Sequence, residues 1–139
     1  MEAARDFAFE DISVGEKASF ERVITERDIA SFAELSGDFN PLHLDPAYAA
    51  QTKFGKPLAH GMLLGALCSA LVGMHLPGKR CLYLAQTLAF KNPVFAGDAL
   101  TVSGTVTAKS ESTRILTIAI AISKGEAIAA EGEAKVQLI

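Results

Sequence analysis

The chain has no surplus of positive charge: 13 lysines and arginines stand against 16 aspartates and glutamates, for a formal net charge of -3. The basic residues are scattered and form none of the stripes that phosphate-backbone binding needs, so nucleic acid is not an expected partner. Cysteine is scarce as well. Cys68 and Cys81 are the only two, with 12 residues between them and no CxxC or secreted-framework pattern. They read as reduced thiols, which fits the cytoplasm. The first residues, MEAARDFAFEDI, lack both the basic start and the unbroken apolar run of a signal peptide, so export is not expected. Internal repeats and low-complexity tracts are absent too. With 139 residues, half of them hydrophobic, residues 1–139 are expected to form one compact domain with a real core.

One stretch lacks charge altogether. From Pro57 to Gly78 there is no Asp, Glu, Lys or Arg. Length alone would allow a membrane span, but His60, His75, two prolines and three interior glycines interrupt it. What remains is an apolar helix from about Gly61 to Met74, expected in a protein core rather than in a membrane.

Around that helix the pattern is mixed. Lys17 to Ile24 reads as a first strand, and Thr25 with Asp28 three residues on is a capping-box variant that starts a short helix, Glu26 to about Leu35. Ile29, Phe32, Ala33 and Leu35 are expected to supply its buried stripe, and Ser36-Gly37 its stop. From there to Pro57 turn formers dominate, with a helical turn expected at Pro46 to Gln51. A long irregular segment of this kind commonly carries function. After the apolar helix the period changes to two, first at Leu82 to Phe90. Leu100, Val102 and Val106 then alternate with polar residues, Leu116, Ile118, Ile120 and Ile122 share one face, and Ala134, Val136 and Leu138 alternate with Glu133, Lys135 and Gln137. Turn signals at Ala96-Gly97-Asp98, Lys109 to Thr113 and Lys124-Gly125 make the neighbours antiparallel. A lone helix apolar on all sides must be covered on all sides, which a curved antiparallel sheet does most simply. The expected class is therefore α+β, a hot-dog fold. Two such units are expected to pair as a homodimer, protecting exposed strand edges.

The stretch Ser36-Gly37-Asp38-Phe39-Asn40-Pro41-Leu42-His43-Leu44-Asp45-Pro46 sets a carboxylate and an imidazole five residues apart in a bent loop. Between them Asp38 and His43 could hold one water. Adding water to an activated double bond needs such a pair, one group taking a proton as oxygen bonds C3 and the other delivering a proton to C2. Downstream, Ala59-His60-Gly61-Met62-Leu63 opens the apolar helix. The free amide of Gly61, at the positive end of the helix dipole, is suited to receive the charge that develops on a thioester oxygen.

GDFNPLHLDP, then PLAHGML, then LAFKNPVFAGD resembles the MaoC-like hydratase family, most closely its short single-domain (R)-specific enoyl-CoA hydratases, from about Thr25 to the C-terminus. The resemblance implies that Asp38 and His43 are the catalytic pair, Asn40 the loop-shaping amide, Gly61 the thioester-oxygen donor and Ser69 a helix serine near the site. It implies an acyl-CoA substrate, an (R)-3-hydroxyacyl-CoA product, and a role in polyhydroxyalkanoate synthesis or fatty-acid breakdown. Helical spacing puts Gly65, Cys68 and Val72 on the face of Gly61, where they are expected to line an acyl tunnel suited to short chains. On charge alone, Lys53, Lys56, Lys79, Arg80 and Lys91 are candidates for the CoA phosphates.

Plainer readings stand beside these. Asp38 can be a turn residue, Ser69 can satisfy a backbone carbonyl one turn back, and Cys68 can be a small core hydrophobe. His60 is expected to orient the loop or helix start, and His75 to lie at a helix end. His43, Asp45 and His60 lack a metal-ligand spacing, and the reaction needs neither metal nor cofactor. The rival functions are a hot-dog acyl-CoA thioesterase and a non-catalytic acyl-CoA sensor, against which the Asp-His pair counts.

Overall fold

The computed structural model describes residues 1–139. Strand β1 (Lys17–Val23) leads to α1 (Glu26–Ser36), and the short helices α2 (Pro41–Leu44) and α3 (Pro46–Ala50) follow. Next come the central helix α4 (Gly61–Ala70) with a π-helical turn, Leu71–His75, and strands β2 (Cys81–Phe90), β3 (Ala99–Ser110), β4 (Ile115–Lys124) and β5 (Ala127–Leu138). The five strands form one antiparallel sheet in the order β1-β3-β4-β5-β2, leaving β1 and β2 as its edges.

The period-two faces turn inward as their spacing requires. Leu100, Val102, Val106, Leu116, Ile118, Ile122, Ala134, Val136 and Leu138 are all buried, and they meet Leu63, Leu64, Leu67 and Leu71 of the helical segment in one core. Each of these larger side chains contributes about 1.5–3 kcal/mol by leaving water. Gly104 shows how closely sheet and helix approach: a Cβ there would lie 2.7 Å from Leu71 Cδ2.

Helix α1 starts at the expected capping box, with Asp28 N–H donating to the Thr25 hydroxyl and Thr25 N–H to the Asp28 carboxylate. That backbone donor, with the Thr25 hydroxyl and the Arg22 guanidinium, holds the Asp28 carboxyl below its ordinary 3.8 despite slight burial. Gly37 ends the helix in the left-handed region at φ 80°, and Leu35, expected in the buried stripe, lies instead in the last turn with its side chain exposed.

Four further features depart from the sequence reading. The loop is more helical than expected, because Asn40 caps an additional turn, α2, with Pro41 at its first position. The α-helix ends at Ala70, and the remainder of the apolar run winds as the π turn. Phe9 and Ile12, ahead of β1, join the core. Most consequential, α4 is not covered on all sides. Met62 is 62% exposed, and Ala66 and Ser69 are exposed beside it, so one flank of the helix stays open in the single chain.

Candidate active site

The loop carrying Asp38 and His43 is fixed by its own side chains. Asn40 Oδ1 accepts from Leu42 N–H at 3.0 Å, and Asp38 Oδ1 accepts from Asn40 N–H at 3.1 Å. Asp45 accepts from the amides of Ala47 and Tyr48 and so starts α3. The side chains of Asp38 and Asn40 thus hold the backbone of this loop, and Asp45 is occupied as a cap.

His43 Nδ1 lies 2.7 Å from the Leu58 carbonyl oxygen. Only a protonated nitrogen can bond a carbonyl, so the proton sits on Nδ1 and Nε2 is the nitrogen left to exchange protons. Buried beneath it, His60 is 2% exposed; its ring stacks on that of His43 with centroids 3.8 Å apart and leans on Phe32 at 4.8 Å. His60 Nε2–H donates to the backbone carbonyl of Asp38 at 3.0 Å. His60 thereby ties the buried start of α4 to the backbone of the loop at Asp38. Its Nδ1 is left as a buried acceptor without a partner.

Asp38, His43 and His60 each bring one potential ligand atom within 4.8 Å of the others. A metal would need nitrogens aimed at a common point. The two rings are only 26° from parallel, so their in-plane lone pairs run side by side. The donor set fits proton transfer better than metal binding.

A cavity of about 440 Å³ opens beside His43 and Gly61, walled by Phe54, Leu64, Phe90, Pro93 and Val94. The Gly61 amide, first in its helix, has no intrahelical acceptor. Phe90 occupies the space a Gly61 side chain would take, 3.1 Å from such a Cβ. Asp38 brings a carboxylate oxygen within 4.8 Å of a ring nitrogen of His43 but is not among the lining residues. The structure does not bring Gly65, Cys68, Val72 or Ser69 to this cavity. Cys68 and Val72 lie in the close-packed core and Ser69 faces solvent on the open flank of α4. Burial pushes the Cys68 thiol up to about 11, so it stays protonated near neutrality as a core hydrophobe would. The Leu58 carbonyl and the rings of Phe32 and Phe90 were not legible as site groups; Phe90 sits at the end of a strand pattern, where an aromatic looks like ordinary packing.

A sheet of this topology packed on one apolar helix, with Asp38 and His43 brought together beside the site at Gly61, defines a hot-dog protein. The chain belongs to the family of the MaoC-like domain, whose model matches residues 11–126. It is 49% identical over 130 residues to an (R)-specific enoyl-CoA hydratase of Aeromonas caviae, covering 93% of this chain and 97% of that one. A second (R)-specific enoyl-CoA hydratase, from Rhodospirillum rubrum, is 41% identical over 94% of this chain and 90% of its own length. Among solved structures, the (R)-hydratase from A. caviae involved in PHA biosynthesis superposes with a TM-score of 0.90 over 94% of this chain and 99% of that one, at 49% identity. The unliganded R-hydratase PhaJ1 from Pseudomonas aeruginosa gives 0.89 at 42% identity, over 94% of this chain and 84% of that one.

Proposed function

We infer that the chain is an (R)-specific enoyl-CoA hydratase, adding water to a trans-2-enoyl-CoA to give an (R)-3-hydroxyacyl-CoA. The observation that carries the reading is His43: its Nδ1 is tied to the Leu58 carbonyl, and the residue lines a cavity that Gly61, the first residue of α4, lines as well. Near-full-length identity to hydratases of that name supports it. In the reaction one water is held between the Asp38 carboxyl and His43 Nε2. As its oxygen bonds C3, one member of the pair takes the water proton while the other delivers a proton to C2; the pair carries one transferable proton in all, which ends on the opposite member and passes back, directly or through a new water, before the next turnover. The charge that develops on the thioester oxygen is received by the Gly61 amide, a contribution of about 3 kcal/mol for such donors. No metal or cofactor enters; CoA arrives as part of the substrate.

The working unit is a homodimer in the cytoplasm, a setting consistent with two free thiols. No helix is long and apolar enough to cross a membrane. The product suits polyhydroxyalkanoate supply, as for the similar A. caviae hydratase, which is involved in PHA biosynthesis. The test is to follow crotonyl-CoA by loss of its conjugated enoyl absorbance while measuring free thiol. Hydration to the (R) alcohol without thiol release is expected. Thiol release without hydration would make the protein a thioesterase, and binding with neither would make it an acyl-CoA sensor.

A further inference from the structure

The sequence offers five basic residues for the CoA phosphates on charge alone, and the structure divides them. Lys79 and Arg80 are both ion-paired with Asp6 of the N-terminal segment. Lys53, Lys56 and Lys91 have no carboxylate partner. Of these, Lys53 and Lys91 line the cavity shared with His43 and Gly61, and no Asp or Glu lines it, although the protein as a whole is negative. The Lys53 ammonium lies 5.3 Å over the Phe54 ring and that of Lys56 4.7 Å over Phe95, while the amide of Lys91 is anchored on the Ala129 carbonyl at 2.8 Å.

We propose that Lys53 and Lys91 form the binding site for the phosphate groups of coenzyme A at the mouth of this cavity, with Lys56 adding to the local positive field. The inference rests on the hydratase reading of the site. With the thioester held at Gly61 and His43, the pantetheine arm runs outward between Phe54, Phe90 and Pro93, and the phosphates emerge where the two exposed ammonium groups stand. Compact, hydrated point charges suit a diphosphate that remains in contact with water. A cationic mouth on an anionic protein also raises the local concentration of a polyanionic substrate.

The test compares crotonyl-CoA with crotonyl-pantetheine, which keeps the thioester and the arm but has no phosphate. The wild type should prefer the CoA ester, chiefly through KM, and lose part of that preference as ionic strength rises. Lys53→Glu with Lys91→Glu should reduce the preference at least tenfold, the paired arginine substitutions should restore most of it, and Lys79→Glu should leave it as in the wild type. A folded double glutamate variant that keeps the wild-type preference, or loses both substrates in equal measure, would overturn the assignment. Should the wild type hydrate neither thioester, the hydratase reading itself would have failed, an outcome plainly distinct from a misplaced phosphate site.

Discussion

His43 is held in place by two contacts that leave it a single nitrogen for chemistry. The Leu58 carbonyl takes Nδ1, and the stacked ring of His60 backs the imidazole while its own Nε2–H grips the Asp38 backbone. Asp38 and His43 thus share one support, and removing either chemical group should cost far more activity than stability. Asp38→Asn and His43→Gln are each expected to fold normally and to lower kcat at least about a hundredfold, the usual scale for an acid-base group. Circular dichroism and thermal melting would report the fold, and crotonyl-CoA hydration the rate; a near wild-type rate in either variant would refute the pair. The Asp and the His were legible because their spacing around Asn40-Pro41 is itself chemical information. Leu58 was not, since any residue can present a backbone carbonyl and only the fold decides which one does.

Helix α4 was legible as an element because its apolar composition and flanking prolines bound it, and the strands because their faces alternate. The π turn at Leu71–His75 and the extra turn α2 were not, because both arise from packing and capping in three dimensions rather than from a period in the chain. The acyl tail is where this matters. Cys68 and Val72 are sealed in the core of the single chain, so a tail that runs beside α4 beyond the Gly61 cavity must enter where side chains can yield. Val72 lies roughly 16 Å along the axis from Gly61 and Cys68 about 10 Å, so a four-to-six-carbon acyl group would end near Cys68. Val72→Ala should then raise kcat/KM for eight-carbon relative to four-carbon substrates, each methylene accommodated being worth about 1 kcal/mol. Gly65→Leu should block even short chains if they pass this part of the helix; a Cβ at Gly65 makes only an ordinary 3.5 Å contact with the exposed Met62 side chain. If a chain-length series were unmoved by both changes in folded protein, the tail would run elsewhere.

At the scale of the molecule, the sheet has two edges of opposite character. Strand β1 presents Lys17, Glu21 and Arg22, whose charges discourage pairing with another chain. Strand β2 presents Leu82 at 51% and Leu84 at 47% exposure, and a register shift between Tyr83 and Ala85 alters which residues face outward. Its unpaired backbone and exposed leucines form the edge a second copy would cover. The open flank of α4 at Met62, Ala66 and Ser69 is a further surface left exposed in the single chain. A symmetric pair joined through β2 would continue one sheet across two chains and leave only the charged β1 edges free. The protein is therefore expected to sediment as a dimer, or as a multiple of it, at micromolar concentration. Leu84→Lys should weaken that dimer at least about tenfold, ~1.4 kcal/mol, because a charge would have to be accommodated beside an edge strand that would otherwise meet its partner through a leucine. A matched change on the other edge, Glu21→Lys, should leave the assembly intact. Analytical ultracentrifugation across a dilution series decides the matter: a wild-type monomer with full activity, or a Leu84→Lys dimer as tight as the wild type, would show that the association, if any, uses a different surface.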